Sequence, residues 1–297
     1  MIVLNKDFFY QVAGHRFRLS FSNGFLSEEK LSNYRPFLVS DETDDCLFHL
    51  SVIEDIPEEY TYEKVGQFDN DIASIGIFKS DGGSFRFRIA YPGSGEYCTM
   101  DTDASFVKAQ VKLPHVEKYR YFCLNNCVML LFAFSTARLD TLMMHASVVK
   151  NGTEGFIFLG KSGTGKSTHT RLWLQHIGQS ELLNDDNPVV RIVKGKAYVF
   201  GSPWSGKTPC YRNEQALLGG IVKLNQAPVN QIKKLSLLQA YAVVLPSCSS
   251  LSWENGIATG IHRTVEQLVS TVPCYRLDCL PDKEAAELSA STIRIKE

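Results

Sequence analysis

Residues 155–177 read GFIFLGKSGTGKSTHTRLWLQHI, and this stretch decides the fold. Its first five residues are an apolar run that predicts a buried strand. Gly160, Lys161, Ser162, Gly163, Thr164, Gly165, Lys166 and Ser167 then complete the pattern G-x-x-x-x-G-K-[ST], the Walker A form. Residues 167–177 predict the helix that follows, with Gly178 just past its end. Strand, glycine loop and helix in that order give the pattern its chemical meaning. Glycines let successive backbone N–H groups turn toward phosphate oxygens, and a helix N-terminus adds partial positive charge. The cradle is expected over residues 162–168, ending at Thr168, with Lys166 reaching the terminal phosphates and the Ser167 hydroxyl ligating Mg2+. A glycine turn without a ligand is the plainer alternative. By composition the bare pattern arises by accident in a chain of this length on the order of one time in a hundred.

With 297 residues the chain can bury two separate cores. Hydrophobic content of 44%, charged content of 21% and a net charge of −1 describe an ordinary globular protein, without the basic excess that would point to nucleic acid. The opening MIVLNKDFFYQV lacks the layout of a secretory signal. The most apolar window, residues 123–137, contains Asn125, Asn126 and Ser135 and is too short to span a bilayer. A cytoplasmic protein with no membrane partner is expected. The eight cysteines have no framework or zinc-site spacing, which predicts free, mostly buried thiols.

Two domains are expected: a β-rich one over residues 1–113 and an α/β nucleotide-binding one over 114–297. In the first, residues 16–21 (RFRLSF) alternate, as do Phe48, Leu50 and Val52, and then Val107, Ala109, Val111 and Leu113. Asp81-Gly82-Gly83 lies between two alternating runs and predicts a hairpin. One apolar and one polar face predict an antiparallel sheet solvated on one side. Residues 41–45 (DETDD) read as a solvated acidic loop. After Pro114 the pattern predicts a helix over 116–137 and a strand over 143–149, then the strand feeding the glycine loop. Beyond these come a strand at 222–224, helices around 235–244 and 265–269, a strand over 274–277 and a last helix capped by Asp282.

Other residues converge on the loop. Asn184-Asp185-Asp186-Asn187 follows Leu182-Leu183, which places two carboxylates at the C-terminal end of a short strand, where ligands sit in open α/β sheets. The composition also suits a plain turn. One carboxylate could hold Mg2+ and the other accept a proton. His145 lies in MMHASVV, in the strand before the one that feeds the loop, where a satisfied core histidine is the alternative. Residues 201–207 (GSPWSGK) form a compact loop whose Lys207 could meet a phosphate, and Arg212 is a weaker candidate.

The order of His145, a glycine loop beginning fifteen residues later, and Asp185-Asp186 resembles the catalytic domain of HPr kinase/phosphorylase. That family belongs to the phosphoenolpyruvate carboxykinase fold group, and the resemblance covers about residues 117–290. Residues 201–207 and 217–224 (LLGGIVKL) are similar to HPr-kinase-like proteins found beside ribosomal-peptide modification systems. The resemblance implies an ATP- and Mg2+-dependent kinase acting on a hydroxyl, serine foremost, of a protein, peptide or small molecule. It implies that His145 and Asp185 lie beside the transferred phosphoryl group and that the aspartate pair supplies a proton acceptor and a metal contact. Asp185 is taken as the base and Asp186, with Ser167, as the metal partner, although the residue types allow the reverse. Thr168 stands where those kinases usually carry an acidic residue, and their glycine-rich signature after the aspartate pair is missing, so neither HPr as acceptor nor phosphorolysis is implied. Two other readings stay open: a nucleotide-binding sensor or scaffold, and a carboxykinase acting on an oxoacid, for which only Lys207 and Arg212 could bind a carboxylate. The expected partners are a nucleotide and a hydroxyl-bearing acceptor, and self-association as a homo-oligomer stays open.

Overall fold

A computed structural model describes residues 6–22, 31–40, 45–57, 60–69, 73–206 and 208–294. Lys207 and most of the acidic stretch at 41–45 lie outside the described residues. The chain divides into two compact units, Met1–Ser135 and Thr136–Glu297. The division falls after the long helix rather than near residue 113, because that helix packs on the strands before it.

The first unit holds β1 (Lys6–Val12), β2 (His15–Phe21), β3 (Leu38–Val39), β4 (His49–Ile53), β5 (Tyr62–Asp69), β6 (Ser74–Ser80), β7 (Phe85–Ala90), β8 (Tyr97–Thr102), β9 (Lys108–Lys112) and α1 (Glu117–Thr136). Its strands form one sheet in the order β3-β1-β2-β4-β9-β8-β7-β6-β5. The expected alternation is present: Phe17, Leu19, Leu50, Val52, Phe87 and Val111 are all buried. Phe132 of α1 meets Phe17 edge-on at 6.2 Å, and Phe134 stacks on Phe87 at 6.0 Å. The expected hairpin joins β6 to β7. The sheet is not wholly antiparallel, however, since β4 runs parallel to both β2 and β9. A parallel neighbour requires a long connection, and residues 22–48 and the β5–β8 meander supply them. Alternation reports which face a side chain occupies and is blind to strand direction. All eight cysteines are free thiols, and Cys98 and Cys127 bring their Sγ atoms to 3.6 Å.

The second unit holds β10 (Thr141–Met143), β11 (Ala146–Asn151), β12 (Glu154–Leu159), α2 (Lys166–His176), β13 (Ser180–Asp186), β14 (Val189–Val193), β15 (Lys196–Phe200), β16 (Gln215–Gln226), β17 (Gln231–Lys234), α3 (Leu237–Val244), α4 (Asn255–Thr271), β18 (Cys274–Cys279) and α5 (Lys283–Ile293). One path through its sheet runs β10-β14-β15-β16-β12-β11-β13, and β16 also pairs with β18, which pairs with β17. The pairings of β16 with β12 and with β18 are parallel. The strand expected over 143–149 is broken at His145, because β10 pairs with β14 whereas β11 pairs with β12 and β13. At the crossover the His145 amide donates to Ser247 O (2.7 Å), which holds the histidine outside the ladder. The helix expected at 265–269 is longer, since the Glu254 carboxylate caps it by accepting from the Ile257 amide. Asp282 caps α5 as expected, its side chain accepting from Ala285 N at 2.9 Å. Among the described residues no helix is long and apolar enough to cross a membrane.

One face of this sheet is covered by α2 and α5, with Phe156, Phe158, Trp173, Val222, Leu277, Ala286 and Ala290 in one buried cluster. Ser289 of α5 clasps the helices together: its Oγ accepts from Trp173 Nε1 (2.9 Å) and meets His169 Nε2 at 3.0 Å. Burial holds the His169 imidazole down at about 4, against an ordinary 6.5. Between those values the unfolded chain takes up a proton that the folded one refuses. Stability is therefore complete above 6.5 and falls as the pH drops toward about 4, by up to roughly 3 kcal/mol. Urea unfolding at pH 7 and pH ~4.5 should show this loss, and His169→Phe should reduce it; an unchanged pH slope in the variant would assign the effect elsewhere.

Candidate functional site

The site is built where β12 ends. Gly163 and Gly165 adopt positive φ of +78° and +104°, which an L side chain rarely tolerates, and so turn the chain from strand into helix. No side chain caps the first turn of α2, whose N-cap is Gly165. Its leading amides therefore have no intrahelical or capping acceptor, an arrangement that favours an anion. Lys161, Ser162 and Gly163 are exposed at the crest of the loop.

Lys166 is 9% exposed and donates from Nζ to Gly160 O and to His145 Nε2, each at 2.9 Å. An ammonium group can only donate, so Nε2 is the acceptor and the ring proton sits on Nδ1. Nδ1 lies 3.0 Å from Asp186 Oδ1 and donates to it. Burial is the largest influence on Lys166 and pulls its pKa down, against the opposing pull of Asp186 and Asp185. On the next residue, Ser167 Oγ donates to Asp185 Oδ1 at 3.1 Å. The structure thus brings Lys166, Ser167, His145, Asp185 and Asp186 together.

The two carboxylates differ. Asp185 is 6% exposed, whereas the side chains of Asp186 and His145 are 31% and 48% exposed. Asp186 also has φ +124°, a strained conformation for a residue with a Cβ. The loop after β15 holds it there. Gly206 N donates to Asp185 O at 2.6 Å, Ser205 Oγ donates to the same oxygen at 3.1 Å, and Ser205 bridges Asp186 through the backbone. A Cβ on Gly206 would stand 3.0 Å from that of Asp186, so only glycine fits there without displacement. Beneath, Asn184 Nδ2 donates to Ser202 Oγ (3.1 Å) and to Trp204 O (3.2 Å), while Asn184 Oδ1 accepts from Asn187 N at 3.0 Å. Asn187 Nδ2 donates to Asp186 Oδ2 at 2.9 Å.

This bracing by Asn184, Asn187, Ser202 and Ser205 was not foreseen from sequence. The turn-like composition of Asn184–Asn187 was its only trace, and there the asparagines read as loop formers. Thr168 is half-buried in the first turn of α2. Arg212 is not part of the site: it pairs with Glu181 (2.7 Å) and Glu214 (3.6 Å), Glu181 lying at the opposite end of β13 from the aspartates.

Among the described residues no three His, Cys, Asp or Glu side chains form a metal cage. Ser167 Oγ and Asp185 Oδ1, two hard oxygen donors 3.1 Å apart, still fit Mg2+, which characteristically takes one or two protein oxygens and completes its shell with water and phosphate.

No family model matches the chain, and none of the curated proteins matches it. Among solved structures, the Hpr(Ser) kinase/phosphatase from Coxiella burnetii is similar over 50% of this chain and 91% of that one, with 9% identity and a TM-score of 0.30. A likeness that loose adds nothing to the geometry above, which is that of a mixed α/β protein with large sheets.

The strain at Asp186 has a measurable consequence. Removing the carboxylate by Asp186→Ala leaves a Cβ in the strained conformation, whereas Asp186→Gly removes both. The glycine variant should be the more stable of the two by about 1–2 kcal/mol in urea unfolding. Equal stability would mean that the backbone there is unstrained.

Proposed function

We propose that this chain is an ATP- and Mg2+-dependent phosphotransferase acting on a hydroxyl group, as the resemblance in its sequence implies. The observation that carries the reading is the continuous hydrogen-bonded chain from Gly160 through Lys166 and His145 to Asp186, beside the Ser167–Asp185 pair. A nucleotide sensor needs the loop but has no use for a partly exposed carboxylate oriented by a histidine next to it. A carboxykinase would need cations converging on a carboxylate, and Arg212 is committed to Glu181 and Glu214.

The α2 amides and the crest of the glycine loop bind the polyphosphate of ATP. Ser167 and Asp185 are the protein ligands for Mg2+, which when bound neutralises phosphate charge. Asp186, the more exposed of the two carboxylates and held by His145 Nδ1–H, accepts the proton of the acceptor hydroxyl while that oxygen bonds to the terminal phosphorus. The bond from phosphorus to the bridging oxygen breaks and ADP leaves, with Lys166 stabilising the charge that develops. Within the aspartate pair these roles exchange those expected from sequence, because the serine of the loop bonds to Asp185 and the more exposed carboxylate is Asp186.

Titration calorimetry should detect ATP·Mg2+ binding and at least about tenfold weakening in Lys166→Ala. Transfer from labelled ATP into cell-extract peptides and hydroxyl metabolites would identify an acceptor. With it, Asp186→Asn should slow transfer by about 10²–10⁴ while ATP affinity stays within a few fold. Asp185→Asn should instead raise the Mg2+ concentration required. Wild-type transfer rates in Asp186→Asn would exclude it as the base.

A further inference from the structure

Lys223 belongs to no part of the site so far described. It lies in β16 with Leu159, the residue before the glycine loop, as its register partner on one side and Arg276 of β18 on the other. Its neighbours Val222 and Leu224 are both buried in the cluster beneath α2 and α5. Alternation along the strand therefore turns Lys223 to the opposite face, where it is half-buried. Three residues on, Gln226 Nε2 donates to the Gly163 carbonyl (3.3 Å), tying the end of β16 to the loop.

The charges around Lys223 are unbalanced. Arg276 has its carboxylate, Asp278, at 2.8 Å. Among the described residues neither Lys223 nor Lys161 has an ion pair. Burial and the repulsion of Lys161 hold the Lys223 ammonium below the ordinary lysine range. Like charges kept together in a partly desolvated place cost stability unless an anion joins them. Lys161 belongs to the glycine loop, so the anion that relieves the pair is the one the loop holds.

We propose that Lys223 is a further ligand-binding residue, contacting the polyphosphate of the bound nucleotide from the strand side of the glycine loop. The proposal rests on the nucleotide reading above and adds to it a wall contributed by β16. A third ammonium supplies charge that the loop backbone cannot. It also selects for the phosphate chain over the nucleoside, since nothing in its position depends on a base or sugar.

The test is calorimetric, on the full chain, with ATP and with inorganic tripolyphosphate as probes and circular dichroism to check folding. Lys223→Gln should weaken both probes by about tenfold, as expected for a lost charge-assisted hydrogen bond. Lys223→Glu should weaken them further, and Lys223→Arg should bind within about threefold of wild type. If Lys223→Gln binds both probes as wild type does while Lys166→Ala is weakened at least about tenfold toward both, the inference is overturned and the nucleotide reading stands. A loss confined to ATP would place Lys223 against the nucleoside and also overturn it. Failure of the wild-type chain to bind either probe would remove the nucleotide reading itself.

Discussion

The site depends on what an ammonium group can and cannot do. Lys166 has donors only, and in this fold its acceptors are the carbonyl that begins the glycine loop and one nitrogen of His145. That choice determines the position of the imidazole proton, and through it the orientation of Asp186. A loop, a chain crossover and a strand end, all distant in sequence, are thus aligned by the hydrogen-bonding limits of one side chain. The break between β10 and β11 follows from the same requirement, because a histidine inside a continuous ladder would be committed to the face of its strand. Releasing it at the switch of partners lets its ring reach Lys166 and Asp186 together.

The aspartate pair shows how adjacent, identical residues acquire different characters. Asp185 is buried and takes the Ser167 hydroxyl; Asp186 is partly exposed, strained and paired with His145. The difference comes from the loop at 201–206, whose amide and hydroxyl donors hold the backbone of Asp185. Strain of this kind persists where the surroundings over-determine a conformation, and here three separate segments contribute bonds.

Much of this was legible in the sequence, for identifiable reasons. The stretch at 155–177 is local: strand, loop and helix follow from neighbouring residues, and the structure places them as β12, the turn at Gly163 and Gly165, and α2. Asp282 as a helix cap and Asp81-Gly82-Gly83 as a hairpin were equally local. What escaped was long-range. The parallel course of β4 is set by its partners β2 and β9, and alternation carries no record of direction. Arg212 read as a weak candidate for binding an anion, because its partner Glu181 is thirty-one positions away. Asn184 and Ser202 read as turn residues because their mutual bond depends on the end of β13 meeting the loop after β15.

The topology of β16 also bears on the order in which the protein can form as it is synthesised. β12 and its glycine loop are complete by Ser167, yet the parallel partner that flanks β12 begins only at Gln215, and β18 beyond it only at Cys274. A nascent chain therefore carries an assembled motif without its supporting wall for the time needed to add those residues. During that interval the Phe156 and Phe158 side chains have neither Val222 nor Ala286 to cover them. Non-local parallel pairing is slow and leaves apolar surface open until it completes. The strand that carries the glycine loop thus waits for its native cover until the last helix is made.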